Sequence, residues 1–219
     1  MRIELGTVRE SPFVGIFAVA TEKWVLAPAG LSQKEEKVIG RAFGLEVVKA
    51  VIANSTLLGV LSAGNSKGIV AGNIIEEREK QALEQSGIRV MVVDGVSAVG
   101  NHLAANDTRG ICSGVFSGKQ VKEIEGFLKV KLMKTMIAGT DVVGSSIVLT
   151  NKGFVLNRMA SPEEANAIEK HLGVEGIKGT ANSGDCFVGN SIVANSEAAI
   201  AGFATTGFEL SRIDEGLRG

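Results

Sequence analysis

Five short phrases recur along this chain at a nearly constant interval, and that repetition limits the fold more than any other feature. They are GIFAVAT (15–21), GVLSAGN (59–65), GNHLAAN (100–106), GSSIVLT (144–150) and GNSIVAN (189–195). The leading glycines are separated by 44, 41, 44 and 45 residues. A second marker keeps the same interval. Helix N-cap signatures, a capping residue with Glu or Gln three positions later, occur at Ser32/Glu35, Asn73/Glu76, Ser117/Gln120, Ser161/Glu164 and Thr206/Glu209. Counted from each glycine, the caps fall at +17, +14, +17, +17 and +17.

Each repeat has one internal order. An apolar stretch of about seven residues reads as a strand, a polar Asn- or Gly-containing tip follows, and a short apolar run closes a β-hairpin. Behind the cap, Val38, Ile39, Ala42 and Phe43 share one helix face, as do Val121, Ile124, Phe127 and Leu128, and Ala165, Ile168 and Leu172. Gly44, Gly87 and Gly173 stand where a C′ glycine would end the helix. A third strand is expected over 45–52, 88–93, 131–137 and 177–180.

The fifth repeat runs out after its helix, whereas the chain begins with a spare strand over 2–5. Adding that strand to the fifth unit closes a ring and leaves no open end. A solenoid would need polar capping repeats, and a propeller blade has four strands without a regular helix. The expected fold is therefore α/β: a five-fold pseudo-symmetric ring, an α/β propeller of five ββαβ units of about 44 residues, with the N-terminal strand completing the fifth. Residues 1–219 are expected to form one domain. Its repeats are placed at about 12–54, 55–97, 98–140, 141–185 and 186–219 plus the strand 2–5. Hairpins and third strands are expected to line the axis, with helices outside.

Composition then narrows the function. Net charge is −1 with the two signs interspersed, unlike a protein that grips nucleic acid mainly through phosphates. Lys129, Lys131 and Lys134 form only a local basic patch, read as an exposed strand edge rather than a nucleic-acid site. Cys112 and Cys186 form no disulfide framework and no zinc spacing, so both are expected to be core thiols of a reducing cytosol. The first residues carry no signal-peptide apolar stretch, and no apolar run reaches membrane-span length. The chain is expected to be cytoplasmic and monomeric, without cofactor or metal.

In a closed ring the five hairpin tips gather on one face. They carry Asn65, Lys67, Asn106, Asp107, Arg109, Asn151 and Lys152, a polar set that could bind a partner. Turn chemistry accounts for the asparagines taken singly, since Asn tolerates left-handed backbone and satisfies local amides. His171 sits at a helix end, where a cation is favourable. His102 reads as a strand residue near the axis; a pair with Cys186 would have to form across the ring. The stretch 64–68 has the look of a phosphate loop but lies in a hairpin tip, not between strand and helix.

With these features in place, the chain resembles the translation initiation factor 6 family in its archaeal form. The resemblance spans essentially the whole chain and is carried by LSAGNSKG (61–68), AVGN (98–101), ND (106–107), VGSS (143–146), TNKG (150–153) and TTGFELSR (205–212). It implies the pentein fold and a non-catalytic ribosome anti-association factor. Such a factor binds the intersubunit face of the large ribosomal subunit, beside ribosomal proteins near the sarcin–ricin loop and adjacent rRNA. There it prevents joining of the small subunit and takes part in large-subunit biogenesis. The resemblance places binding on the tip residues Asn65, Lys67, Asn106, Asp107, Asn151 and Lys152. Two alternatives stand beside it. One is a pentein-type guanidine-modifying enzyme, a Cys/His-dependent hydrolase or amidinotransferase, although the compact repeats leave no insertions to cover a site. The other is a scaffolding ring with a different partner.

Overall fold

The computed structural model describes residues 1–219. The chain opens with β1 (Arg2–Gly6). Unit one contains β2 (Val19–Ala20), β3 (Trp24–Pro28), helix α1 (Gln33–Phe43) and β4 (Glu46–Ala50). Unit two contains β5 (Ser62–Asn65), β6 (Gly68–Gly72), α2 (Glu77–Gln85) and β7 (Val90–Val93). Unit three contains β8 (Leu103–Ala105), β9 (Arg109–Cys112), α3 (Gly118–Leu128) and β10 (Lys131–Lys134). Unit four contains β11 (Ile147–Leu149), β12 (Phe154–Asn157), α4 (Pro162–Leu172) and β13 (Gly176–Gly179). Unit five contains β14 (Ile192–Ala194), β15 (Ala198–Gly202) and α5 (Gly207–Arg218).

Five three-stranded sheets result. In each, the first two strands pair antiparallel and the third runs parallel to the second. The fifth sheet takes β1 as its third strand, from Arg2 opposite Ala198 to Gly6 opposite Gly202. The ring closes where the missing strand required it to.

The first strands β2, β5, β8, β11 and β14 are neighbours around the axis. The third strands lie at the far edge of each sheet and do not line the axis, contrary to expectation. The second strands occupy the middle and are buried along most of their length. The hydrophobic core divides into five clusters, and each bridges two units. Val70 and Val93 of unit two pack with Val99, Ile124 and Leu128 of unit three, for example. Val25 and Ile39 of unit one likewise pack with Val193 and Ile200 of unit five. No unit encloses a core of its own, so stability depends on completing the circle.

The repeat glycines have a different role from the one their position suggested. Instead of opening strands, four of the five lie within a single helical turn, Val14–Phe17, Leu58–Leu61, Val99–His102 or Val188–Ser191, and Gly144 lies in a comparable turn. The strands after them are correspondingly short. A Cβ on any one would overlap the carbonyl oxygen of the preceding unit's glycine, Gly15 on Gly189, Gly59 on Gly15, and so round the ring. It would also stand 2.6–3.0 Å from a second carbonyl oxygen. The glycines therefore set how closely the units approach.

The helix caps sharpen the repeat. Ser32, Ser117, Ser161 and Thr206 each accept from the N–H three residues on, and the Glu or Gln there accepts from the cap's own N–H. Unit two departs from the expected Asn73/Glu76 pair: its N-cap is Glu76, in a capping box with Glu79. The correction moves the cap from +14 to +17, the offset of the other four. The acidic partners do more than cap. Buried Glu79 also accepts from the N–H groups of Ala53 at 2.7 Å and Asn54 at 2.8 Å. Glu209 accepts from Ser183 at 3.1 Å and Gly184 at 2.8 Å, and Glu164 accepts from Ala138 at 3.0 Å. These turns contain left-handed residues, including Ala53, Asn54, Ala138 and Ser183, whose amides donate to these carboxylates. One carboxylate thus ties a helix start to the turn entering the same repeat.

Burial acts to raise the Glu209 pKa, but donors from Thr206, Thr180 and Gly184 outweigh it and leave the carboxyl below its usual value. Its proton is then bound less readily in the folded chain than in the unfolded one. The stabilisation is fully present above the unfolded pKa of about 4.3 and is lost as pH falls through the lower folded value. Urea midpoints measured down a pH series are expected to fall across that range for the native sequence and to fall less for Glu209→Gln. Equal slopes would contradict this linkage.

Candidate functional site

The hairpin tips gather at one end of the axis, as expected. Their asparagines, however, are used within the ring. Thr21, Asn65, Asn106, Thr150 and Asn195 each stand six residues after a repeat glycine, and all five are buried. Asn65 donates Nδ2–H to the carbonyls of Asn106 at 2.8 Å and Leu128 at 3.0 Å. Asn106 donates to Thr150 at 3.0 Å, and Asn195 to Thr21 at 3.0 Å. Their Oδ1 atoms accept local N–H groups of the tips, Lys67 for Asn65 and both Thr108 and Arg109 for Asn106. Each side chain shapes its own tip and holds the next one. Asn65 and Asn106, 3% and 6% exposed, therefore have no free polar atom for a partner. Replacing Asn106 by Ala is expected to cost about 2 kcal/mol of unfolding free energy by orphaning buried amides. Denaturant titration would measure that loss, and an unchanged midpoint would count against it.

The next residue of each tip forms a second polar layer. Asp107 accepts from the N–H and hydroxyl of Ser66 at 2.9 and 3.0 Å and from Asn151 Nδ2 at 3.1 Å. Asn151 accepts from the Asp107 N–H at 2.9 Å and donates to Glu22 at 3.3 Å. Ser196 donates to Glu22 through its hydroxyl at 2.6 Å and its N–H at 3.0 Å. Lys152 is paired with Glu197 at 2.7 Å, and that exposed contact holds the Glu197 carboxyl below its usual pKa. Of the seven tip residues singled out from sequence, only Lys67 and Arg109 keep side chains without an ion pair or side-chain hydrogen bond.

His102 and Cys186 have separate hydrogen-bond partners. His102 Nδ1 lies 3.0 Å from the Asp141 carbonyl and 3.2 Å from Ser113 Oγ. Cys186 Sγ lies 3.7 Å from the Gly184 carbonyl. Cys186 is only half-buried, unlike the core thiol expected. Cys112 is buried, and burial pushes its pKa up to about 11, which suits a packing residue rather than a thiolate nucleophile. His171 does stand at a helix end, but Nε2–H donates to the Gly110 carbonyl of unit three at 2.9 Å. It joins two units as well as facing a helix terminus. No group of three or more His, Cys, Asp or Glu is placed to hold a metal ion. No helix is long and apolar enough to cross a membrane.

The opposite face differs in character. Second and third strands both run away from the tips. The loops into the helices, the turns after the third strands and the single helical turns therefore collect at the other end. Ten large apolar side chains are exposed, and eight lie at that end: Phe13, Leu57, Ile74, Val115, Met136, Met159 and Phe203 in those segments, and Phe208 in the first turn of α5. Met159, Phe203 and Phe208 are 68%, 71% and 77% exposed. A concentration of this kind on one face marks an interaction surface. Sequence reading missed it because it sought polar residues. The signal is nevertheless periodic: Ile74, Val115 and Met159 each follow their repeat glycine by 15, and Phe13 and Leu57 each precede theirs by two.

The sequence pattern of the eIF-6 family matches residues 3–216. The translation initiation factor 6 of Pyrococcus abyssi is 36% identical over 224 aligned positions, covering 99% of each chain. That of Methanosarcina mazei is 34% identical, covering 96% of this chain and 95% of its own. Among solved structures, a dimethylarginine dimethylaminohydrolase carrying an S-methyl-L-thiocitrulline adduct superposes with a TM-score of 0.50 at 15% identity. The match covers 94% of this chain and 73% of that one. At that identity the likeness concerns the pentein ring alone.

Proposed function

The chain belongs to the eIF-6 family, whose archaeal members are translation initiation factors, and from that premise we propose that it binds the large ribosomal subunit and prevents the small subunit from joining. On this reading it occupies the intersubunit face near the sarcin–ricin loop, acts in the cytoplasm as a monomer and takes part in large-subunit maturation. The observation that carries the reading is the apolar turn face. Eight exposed large apolar residues on one side of a ring without an assembled catalytic pair fit a protein whose work is occlusion. We assign docking to this turn face rather than to the tips, because the tip polar groups are occupied by one another.

The test is sedimentation with purified archaeal subunits. The protein is expected to co-migrate saturably with large subunits, not with small ones, and to reduce their joining in proportion to occupancy. Co-migration with small subunits alone, or unchanged joining at full occupancy, would sink the proposal.

A further inference from the structure

Five cations crowd one stretch of the tip-side rim where units two and three meet. Lys67 is in the unit-two tip, Arg89 precedes β7, Arg109 begins β9, Lys129 ends α3 and Lys131 begins β10. All five are exposed. Contacts on either side of the seam place them together. The Ile69 N–H donates to the Arg89 carbonyl at 2.9 Å, and Asn65 at the same tip donates to Leu128, next to Lys129. The Lys131 N–H donates to Thr108 at 3.2 Å, and Lys131 is the direct cross-strand partner of Arg109.

Two features set this stretch apart from ordinary surface charge. First, five cations without a salt bridge adjoin one another, whereas seven other Lys and Arg residues are each paired with a carboxylate: Arg41, Lys49, Arg78, Lys119, Lys152, Arg212 and Arg218. The carboxylates on neighbouring elements are turned elsewhere, Asp107 to Ser66 and Asn151, and Glu125 to the Leu132 N–H. Second, two like charges stand directly opposite one another in a sheet, an arrangement that costs stability when nothing anionic lies between them. Arg89 in addition stands over the Phe127 ring, its guanidinium carbon 4.7 Å from the ring centre. Lys134, grouped with this patch from sequence, does not belong to it, since its Nζ donates to the Phe116 carbonyl.

We propose that this rim is a phosphate-tracking surface that binds the backbone of RNA, separate from the apolar turn face. The row of unpaired cations matches a row of phosphates, whereas an acidic peptide would also call for an apolar pocket, and the patch residues are charged side chains standing on the rim. A net charge of −1 for the chain is compatible, because the repulsion is distant and screened while the cations are local. Affinity should be modest, independent of base sequence and steeply dependent on salt.

The experiment is fluorescence anisotropy of a labelled RNA hairpin of about 16 base pairs with the full chain, across a salt series. Arg109→Glu/Lys131→Glu is compared with Lys34→Glu/Lys37→Glu, the same charge change on α1. The native chain is expected to bind at about 50 mM salt. The patch variant should bind at least about tenfold more weakly, with its salt slope flattened by about two, one for each lost phosphate contact. The α1 variant should stay close to the native chain. No binding by the native chain would overturn the proposal, as would equal weakening in both variants. A glutamate-rich peptide that displaces the RNA at matched charge would assign the rim to an acidic protein instead. Because the RNA is free, failure here leaves the large-subunit sedimentation result standing, and the converse also holds.

Discussion

Gly59→Ala is expected to abolish the native ring, lowering stability by more than about 4 kcal/mol, at the far end of what single substitutions do. The reason is not conformational freedom, since Gly59 has no left-handed φ. It is space. The added methyl group would overlap the Gly15 carbonyl oxygen and stand 3.0 Å from that of Ala18. Both obstacles are backbone, so no side chain can rotate aside. Neither can the unit shift outward alone, because Gly100 is packed on Gly59 in the same way. Overpacking at one seam therefore strains the whole circle, and the loss compares with the total stability of about 5–15 kcal/mol of a folded domain. Gly40→Ala provides the contrast. Gly40 lies within α1 with nothing within 4 Å of its would-be Cβ, so alanine there should stabilise by about 0.8 kcal/mol through helix propensity. Circular dichroism melts of the two variants would decide the matter. A Gly59→Ala protein melting near the native temperature would show that the axial glycines do not set the packing.

These same glycines show how far the sequence could be read. Their spacing revealed the five units, and the absent last strand revealed the closure that β1 and β15 then provide. Both are patterns along the chain, which periodicity records. What escaped were the close contacts between units. In sequence the glycines read as the start of strands, because the small apolar residues beside them have that local pattern. Only the ring brings Gly15 against Gly189, 174 positions away. Asn73 reads as the cap in sequence because Asn is a strong intrinsic N-cap and Glu76 stands three residues later. The fold uses Glu76, in a capping box with Glu79, whose carboxylate also holds the Ala53–Asn54 turn at the end of unit one.

The polar tips are only partly legible in sequence, because hydrogen bonds between units cannot be counted in one dimension. Asn65 and Asn106 were recognised as turn residues, yet their donation to the neighbouring tip, which buries them, has no signature in a single repeat. Lys67 and Arg109 survive as free groups because lysine and arginine stems carry their charge beyond that network. The turn-face residues were passed over for the opposite reason: an isolated Phe203 or Met159 in a loop is unremarkable in sequence. It gains meaning only when the strand directions bring eight such residues to one side.

That concentration yields the second large effect. A triple variant, Met159→Glu, Phe203→Glu and Phe208→Glu, is expected to lose at least about 100-fold in affinity for large subunits, equivalent to about 2.7 kcal/mol. Exposed aromatic and Met side chains are the groups that carry such interfaces, and truncating one central anchor alone costs about 2 kcal/mol or more. Charge on the same sites adds a desolvation penalty on docking. Folding should be nearly untouched, because these residues are 68–77% exposed and make no core contact that the substitutions would remove. The variant should therefore melt with the native chain while failing to co-sediment and failing to prevent subunit joining. Arg109→Glu/Lys131→Glu, run in parallel, separates the two surfaces. If the triple variant still binds and the rim variant does not, docking belongs to the tip side, and the turn face must serve some other contact. If only the triple variant fails, the apolar face is where the ring meets the subunit. The RNA-binding rim would then act beside that contact rather than in place of it.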